Sequence, residues 1–271
     1  MPELPEVETT CRGILPHLKN HTIKSVDVRN PNLRWPVSDE IYHLHNALVS
    51  DITRRAKYIL IYLDAGGCII MHLGMSGSLR ICASDEPLRK HDHLTFSLSS
   101  GLEMRYHDPR RFGCALWAES DPHAHPLLEK LGPEPLEDSF SLEYLHAISK
   151  NRKAAIKQHI MNNHTVVGVG NIYACEALYL AGIHPKREAG KISKQRLSKL
   201  RDAIRFVLSR SIEQGGTTLK DFLHTNGEPG YFKQQLAVYD REGLPCTECE
   251  STIKRIVQGQ RSTFYCPKCQ K

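Results

Sequence analysis

The segment CTECESTIKRIVQGQRSTFYCPKC (residues 246–269) contains two CxxC pairs separated by sixteen residues. This spacing is typical of a zinc ribbon. The intervening stretches IKRIV and STFY can pair as a β-hairpin, which would bring the two pairs together. Four thiolates complete a tetrahedral shell around zinc and leave no position for water. The sequence therefore predicts one structural Zn²⁺ ion, held by Cys246, Cys249, Cys266 and Cys269.

The predicted hairpin carries a cluster of positive charges. Lys254, Arg255 and Arg261 lie on its strands, and residues 258–260 (QGQ) form its expected tip. A basic ribbon of this kind often contacts nucleic acid, because phosphates attract lysine and arginine. A ribbon that contacts another protein remains the alternative at this point.

The bulk composition indicates a two-domain protein of a reducing compartment. With 271 residues and 40% hydrophobic composition, the chain can bury one large core or two modest ones. No run of eighteen apolar residues and no secretory signal is present, so we expect a cytoplasmic protein without membrane contact. The excess of 36 Lys and Arg over 30 Asp and Glu weakly favours a polyanionic partner. Nothing in the pattern suggests a dimer seam, so we expect a monomer.

The first half of the chain has the pattern of a helix followed by many short strands. Apolar residues recur at helical spacing over residues 4–18. From about residue 22 to 118, short stretches such as YILIYL (58–63) and CIIMHL (68–73) alternate with glycine-containing turns, which predicts an antiparallel β-sandwich. The stretch LGPEPLED (131–138) has the composition of a domain connection.

The chain beyond this connection has a helical pattern, so the fold class is α+β. One helix is predicted from the N-cap Ser193 to Gly215-Gly216, with a basic face that we interpret as solvated. Further upstream, Gly168 and Gly170 precede a helix that begins at Asn171. The free N–H groups of a helix N-terminus can bind a phosphate, although two glycines before a helix more often form only a turn.

The chain starts MPELPEVE (residues 1–8), which places carboxylates and prolines at the very end. Removal of Met1 would expose the secondary amine of Pro2 beside the carboxylate of Glu3. A nucleophilic amine next to a group that handles protons is a combination suited to covalent catalysis.

Nine short motifs in order along the chain resemble those of the formamidopyrimidine-DNA glycosylases. They are MPELPEVE (1–8), RRAKY (54–58), HLGMSGSLR (72–80), KHDH (90–93), DPRRFG (108–113), GVGNIYA (168–174), EQGGTTLKDF (213–222), PGYF (229–232) and RSTFYCPKCQ (261–270). The resemblance implies a bifunctional repair enzyme that excises oxidised purines from double-stranded DNA and cuts the abasic site. It also implies a β-sandwich catalytic domain (1–131), a helix-two-turn-helix domain (132–236) and a zinc hairpin (237–271).

The resemblance assigns catalytic roles residue by residue. Pro2 becomes the nucleophile, Glu3 the acid/base group, and Lys57 a second amine for β-elimination or phosphate binding. Arg261 matches the residue usually assigned to δ-elimination, but a guanidinium is always protonated, so we expect it to hold a phosphate instead. His72 and Asn171 are expected to complete that phosphate site.

Further residues match the family's DNA contacts. Met75, Arg110 and Phe112 correspond to the residues that fill the gap left by the flipped nucleotide. His91 and Arg152 match or lie near contacts to the DNA backbone, and residues 217–231 resemble the loop that covers the extruded base.

Two alternatives remain open. Endonuclease VIII-type glycosylases for oxidised pyrimidines share the terminal amine but tend to begin PEGPE, so Leu4 favours the purine branch. A DNA-binding module without catalysis is the second alternative, since a proline nitrogen still acylated by Met1 cannot attack.

Overall fold

The computed structural model describes residues 2–215 and 236–271. The chain divides into two compact units. The first includes the residues up to Glu129 and the end of a long helix from Ile212; the second contains Lys130–Ser211 and the C-terminal segment.

The first unit begins with a helix, α1 (Leu4–Leu18). Its buried side chains Leu4, Val7, Cys11, Ile14 and Leu18 recur every three or four residues, which places them on one face. Glu3 is the N-cap, and Pro5 lies in the first turn, where a missing N–H costs nothing. The helical pattern predicted for residues 4–18 is confirmed.

Eight antiparallel strands form the rest of this unit. They are β1 (Thr22–Val28), β2 (Ala47–Arg55), β3 (Tyr58–Leu63), β4 (Cys68–His72), β5 (Ser78–Ala83), β6 (Asp92–Leu98), β7 (Leu102–His107) and β8 (Cys114–Ala118), with a short helix α2 (Asp39–Tyr42) after β1. Their order is β5-β7-β6-β1-β2-β3-β4-β8. Only Thr22↔Leu48 and Ile23↔Ala47 join β1 to β2, so this short ladder separates two four-stranded halves.

Both halves and α1 contribute to one hydrophobic core. Phe96 and Met104 enter it from one half, Ile61 and Ile69 from the other, and Ile14 from α1; all five are fully buried. A shared core between two antiparallel layers is the arrangement of a β-sandwich. The predicted α+β fold with an N-terminal sandwich is therefore confirmed.

The second unit is built from helices and a hairpin. The helices are α3 (Leu142–Ser149), α4 (Ile156–Ile160), α5 (Asn171–Leu180) and α6 (Lys194–Gly215), whose last residues from Ile212 belong to the first unit. The hairpin consists of β9 (Lys254–Gln258) and β10 (Arg261–Tyr265). Helix α6 starts after Ser193, as predicted. In the part of the chain that the structure describes, no helix is long and apolar enough to cross a membrane.

Candidate active site

Pro2 and Glu3 are held at the beginning of α1. Both residues are buried, and Glu3 is only 2% exposed. The backbone N–H of Glu3 donates to Oε2 of Glu6 at 2.8 Å, and the Glu3 side chain accepts from the backbone N–H of Glu6 in the same capping box. A carboxylate at this position is stabilised by the positive end of the helix dipole. The terminal segment is thus ordered by the helix that follows it.

Lys57 lies in the tight turn between β2 and β3. The preceding residue, Ala56, has a positive φ of 53° and is buried. Arg54 donates to the Ala56 carbonyl at 2.8 Å and to the Glu8 carboxylate at 2.9 Å. Because Glu8 belongs to α1, this chain of contacts fixes the Lys57 turn against the helix that carries Glu3.

His72, the last residue of β4, is a neutral imidazole. Its Nδ1 accepts a hydrogen bond from the Gly74 N–H at 2.9 Å, so the proton of the ring is on Nε2. Burial lowers the pKa of His72 to about 4, the positive charges of Lys57 and Arg34 contribute to the shift, and Asp108 opposes it. His72 can therefore donate from Nε2 near neutral pH without carrying a charge.

Arg34 is a cation of this region that the sequence analysis missed. It acts electrostatically on His72, and its guanidinium lies 4.7 Å from the centroid of the Trp35 ring. Its backbone N–H donates to the Gly113 carbonyl at 3.1 Å. Arg34 lines an open pocket of about 530 Å³ together with Asn32, Leu33, Arg110, Arg111 and Phe112. No motif marked Arg34 in the sequence, because His72, Gly113 and residues 110–112 lie on distant parts of the chain.

Met75, Arg110 and Phe112 lie on two loops and point to solvent. Met75 is 38% exposed and Phe112 43% exposed, which excludes a core role that their apolar side chains alone would suggest. The Arg110 guanidinium lies 4.8 Å from the centroid of the Phe112 ring, within range of a cation–π contact. Two exposed apolar side chains and a guanidinium are thus available at one surface of the first unit.

The side chain of Asp108 connects these two loops. Its fully buried carboxylate accepts hydrogen bonds from the Ser76 hydroxyl at 2.7 Å, the Gly113 N–H at 2.9 Å and the Tyr106 hydroxyl at 3.0 Å. Burial and the charge of Asp108 raise the pKa of Tyr106 well above its usual value, so Tyr106 remains a donor. Asp108 lies within DPRRFG, but no sequence pattern marks its carboxylate as the group that joins the loops.

Close packing of the loops explains two of their glycines. Gly74 has a φ of +62°, and a Cβ at this position would lie 2.4 Å from the Phe112 backbone carbon. A Cβ on Gly113 would lie 1.9 Å from the Tyr106 hydroxyl. Neither site accepts a side chain without displacing the loops.

His91 is partly exposed beside a smaller basic pocket. This pocket, of about 320 Å³, is lined by Arg29, Asn30, Lys90, His91, Asp92, His93, Pro109 and Arg111. The buried carboxylate of Asp92 supports the segment that carries His91, because it accepts from Arg80 at 2.6 Å and from the Arg89 N–H at 2.8 Å. The structure therefore places His91 among several positive charges.

Asn171, at the start of α5, belongs to a buried network in the second unit. Lys157 is only 1% exposed, and its Nζ donates to Asn171 Oδ1 at 2.5 Å and to Thr263 Oγ1 at 2.6 Å. The Asn171 amide donates from Nδ2 to the Ser262 carbonyl at 2.9 Å. Helix α5 and strand β10 are thus connected through α4. Lys157 appeared in the sequence only as part of the basic stretch KNRKAAIK (150–157).

Arg261 begins β10 beside this network. It pairs with Gln258 in the hairpin and is exposed. Since side chains two apart in a strand project from the same face, Arg261 lies on the face of Thr263, which contacts Lys157. Arg152 is exposed in the loop after α3, and its Nε donates to the Ile148 carbonyl at 3.2 Å. Residues 217–231, the expected covering loop, lie outside the described residues.

The four cysteines form a site for one structural zinc ion. Their sulfur atoms all lie within 4.8 Å of one another. The Cys249–Cys266 and Cys246–Cys269 sulfur distances are 3.5 and 3.9 Å. Tetrahedral zinc with Zn–S bonds of about 2.3 Å requires sulfur separations of about 3.8 Å, which these distances bracket. The prediction of a Cys₄ zinc hairpin is confirmed.

Family models match nearly the whole chain. The formamidopyrimidine-DNA glycosylase N-terminal domain matches residues 1–115, and the H2TH domain of the same proteins matches residues 131–223. A zinc finger found in FPG and IleRS matches residues 243–271.

Relatives and solved structures agree with these matches. The formamidopyrimidine-DNA glycosylases of Thioalkalivibrio sulfidiphilus and Alcanivorax borkumensis are 56% and 57% identical, with 100% of each chain covered. Lactococcus lactis Fpg in complex with abasic DNA superimposes with a TM-score of 0.89 at 31% identity, over 99% of each chain. Thermus thermophilus MutM (Fpg) gives 0.86 at 35% identity, over 99% of this chain and 98% of that one. The chain therefore belongs to the formamidopyrimidine-DNA glycosylase family, whose members are DNA-repair enzymes.

Proposed function

We propose that this glycosylase excises oxidised purines, chiefly 8-oxoguanine and formamidopyrimidines, from double-stranded DNA and then cleaves the abasic site by β,δ-elimination. The observation that carries the proposal is the placement of Pro2 and Glu3, both buried at the start of α1 in a member of this family. A terminus that served no purpose would be expected to fray.

The chemistry begins when removal of Met1 frees the Pro2 amine. An α-amino group has a reference pKa of about 7.7–8.0 and a secondary proline amine is more basic, so the site must take a proton from Pro2 before its nitrogen can attack. The Pro2 nitrogen attacks C1′, the bond from C1′ to the damaged base breaks, the base leaves with a proton from solvent, and the resulting ammonium passes its proton to the Glu3 carboxylate. Glu3 donates a proton to O4′ as the sugar ring opens, and the C1′–nitrogen bond becomes an iminium.

Strand cleavage follows from the iminium. It acidifies C2′, so loss of a C2′ proton expels the 3′ phosphate, and a second elimination expels the 5′ phosphate. Water then releases the sugar fragment from Pro2. Lys57 supports the elimination either as an ammonium that holds a phosphate next to the lesion or as a neutral amine that receives the proton.

Each unit offers donors for the phosphates of bound DNA. Lys57 and His72 supply one charged and one neutral donor from the first unit. Arg261 supplies a guanidinium fork, which suits phosphate geometry. Asn171 uses one N–H on the Ser262 carbonyl, and an amide has a second N–H for an anion. Exposed Arg152 and partly exposed His91 extend the contacts along the DNA backbone.

Exposed Met75 and Phe112 replace the flipped nucleotide in the base stack. Flipping costs a few kcal/mol of stacking, which apolar side chains that fill the gap offset in part. The guanidinium of Arg110, which lies over the Phe112 ring, donates to the orphaned cytosine in this proposal.

Solved structures of relatives support DNA as the partner and suggest a second substrate class. A Lactococcus lactis Fpg mutant was solved with DNA containing Fapy-dG, and the wild-type enzyme with DNA containing an oxidised pyrimidine. The complex with an oxidised pyrimidine favours oxidised pyrimidines as additional substrates of this chain.

The test is a single-turnover assay on duplexes of matched flanking sequence. The central base is 8-oxoguanine, Fapy-dG or normal guanine opposite cytosine, or thymine glycol opposite adenine. We expect excision of the two purine lesions first, slower excision of thymine glycol, none of guanine, and a one-nucleotide gap with phosphate at both ends. Faster removal of thymine glycol would assign the chain to the pyrimidine-specific alternative. Binding of all three lesions without cleavage, by a chain that lacks Met1, would identify a non-catalytic module.

A further inference from the structure

A tyrosine of helix α5 reaches the zinc site from the side. The hydroxyl oxygen of Tyr179 lies 3.2 Å from the sulfur of Cys246 and 3.3 Å from Oγ1 of Thr247. Tyr179 is only 6% exposed, and its ring packs with Val238, Ile253 and Phe264 in the small core under the hairpin. The packing of this small core therefore holds the Tyr179 hydroxyl next to the sulfur of Cys246.

The direction of this hydrogen bond follows from the chemistry of the site. A cysteine bound to zinc is a thiolate and has no proton to donate. The Tyr179 O–H must therefore donate to Cys246, and its oxygen then accepts from the Thr247 hydroxyl. The result is a short chain of donors, from Thr247 to Tyr179 to the Cys246 sulfur.

The zinc site needs such donors. Four thiolates on one Zn²⁺ leave a net negative charge, and the sulfurs of Cys246 and Cys266 belong to residues that are almost fully buried. Backbone donors supply part of the compensation, as in the contact from the Cys269 N–H to the Cys266 sulfur at 3.4 Å. Donors around a metal site orient its ligands and tune their charge, and their loss typically lowers metal affinity about 10- to 100-fold.

We propose that Tyr179 is a positioning residue of the zinc site, whose hydroxyl donates to the Cys246 thiolate and slows the loss of zinc. The bond also joins the knuckle to the helix that begins at Asn171, about two turns away. The zinc site is thereby attached to α5 through a ligand sulfur as well as through packing.

The experiment uses the full chain, with Tyr179→Phe as the variant, because phenylalanine keeps the ring and removes only the hydroxyl. Tyr144→Phe is the matched control, since the Tyr144 hydroxyl donates to the Thr165 carbonyl at 3.0 Å elsewhere in the same unit. Two quantities are measured: the rate of zinc transfer to excess 4-(2-pyridylazo)resorcinol, and the sulfur-to-metal charge-transfer band of the cobalt(II)-substituted protein.

We expect Tyr179→Phe to transfer zinc about tenfold faster and to shift the cobalt band to longer wavelength, because a thiolate without its donor gives up charge more easily. Tyr144→Phe should change neither. A band and a transfer rate equal to those of the parent chain would overturn the proposal, and so would faster transfer with an unmoved band, which indicates loosened packing only.

If Tyr179→Phe does not fold, Thr247→Val provides a second test. Thr247 is exposed, and its hydroxyl donates to the Tyr179 oxygen at the start of the hydrogen-bond chain that ends on Cys246. Loss of the Thr247 hydroxyl weakens the donation by Tyr179, so the cobalt band should move in the same direction by a smaller amount. An unmoved band in this variant would contradict the assignment of Tyr179 as the donor to Cys246.

Discussion

The Ser76 hydroxyl donates to the buried carboxylate of Asp108 at 2.7 Å, across 32 positions of sequence. This bond joins the loop that carries Met75 to the loop that carries Arg110 and Phe112. The Ser76 oxygen also accepts a hydrogen bond from the Arg110 N–H at 3.2 Å. The same hydroxyl is thus a donor to Asp108 and an acceptor from Arg110.

Removing that hydroxyl should impair base flipping more than the later chemistry. A hydrogen bond to a charged group contributes about 1.5–3 kcal/mol, and 1.4 kcal/mol corresponds to about tenfold in rate. We expect Ser76→Ala to excise 8-oxoguanine from a duplex about tenfold more slowly, with a smaller effect on cleavage of a preformed abasic site. Ser84→Ala, in an exposed turn, is the control. Equal slowing of both reactions would argue against a role in flipping.

His72 should remain neutral through the physiological range. Its pKa of about 4 lies below the usual 6.5 because of burial and the nearby charges of Lys57 and Arg34. The unfolded chain binds a proton near pH 6.5 and the folded chain does not, so stability from His72 is complete above about pH 6.5 and is lost as the pH falls towards 4. NMR titration of the ring should show a midpoint near 4, and Lys57→Met should raise it. A midpoint near 6.5 in the parent chain would contradict this environment.

Lys157 should support DNA binding from its buried position. Lys157→Met keeps most of the volume but leaves Asn171 Oδ1 and Thr263 Oγ1 without their charged donor, at a cost of about 1–3 kcal/mol each. We expect about tenfold weaker binding to a duplex with an uncleavable abasic analogue, together with a lower melting temperature. Lys153 is exposed, so Lys153→Met should lower the DNA affinity less and leave the melting temperature unchanged. If both variants show the same affinity and the same melting temperature, the buried network around Lys157 does not contribute to DNA binding.

Among the cysteines, only the four clustered ones should determine the zinc content. We expect one zinc per chain by elemental analysis, and loss of zinc in Cys249→Ala, because structural zinc contributes about 10–16 kcal/mol of apparent binding energy in small peptides. Cys68→Ala, which removes a buried thiol of the sandwich, should retain the metal. Zinc retained after Cys249→Ala would require a different ligand set.

Local patterns predicted the elements whose partners are close in sequence. The recurrence of apolar residues every three or four positions predicted α1, and the two CxxC pairs predicted the hairpin and its zinc ion. The buried role of Lys157 was inaccessible, because its partner Thr263 lies 106 positions away. The exposure of Met75 and Phe112 could not be read from their apolar side chains either; only the resemblance to a family placed them at a surface. Arg34 and Asp108 were missed because one contact of each, Arg34 with Gly113 and Asp108 with Ser76, arises only when distant loops meet.

The central claim is that Pro2 is the nucleophile, and borohydride trapping tests it most directly. The protein is incubated with a duplex that contains 8-oxoguanine opposite cytosine, reduced, and examined by intact mass together with the free protein. We predict a covalent adduct on a chain that lacks Met1, absent in Pro2→Gly and in a chain with an N-terminal extension. No adduct and no cleavage from a parent chain that lacks Met1 would contradict the account.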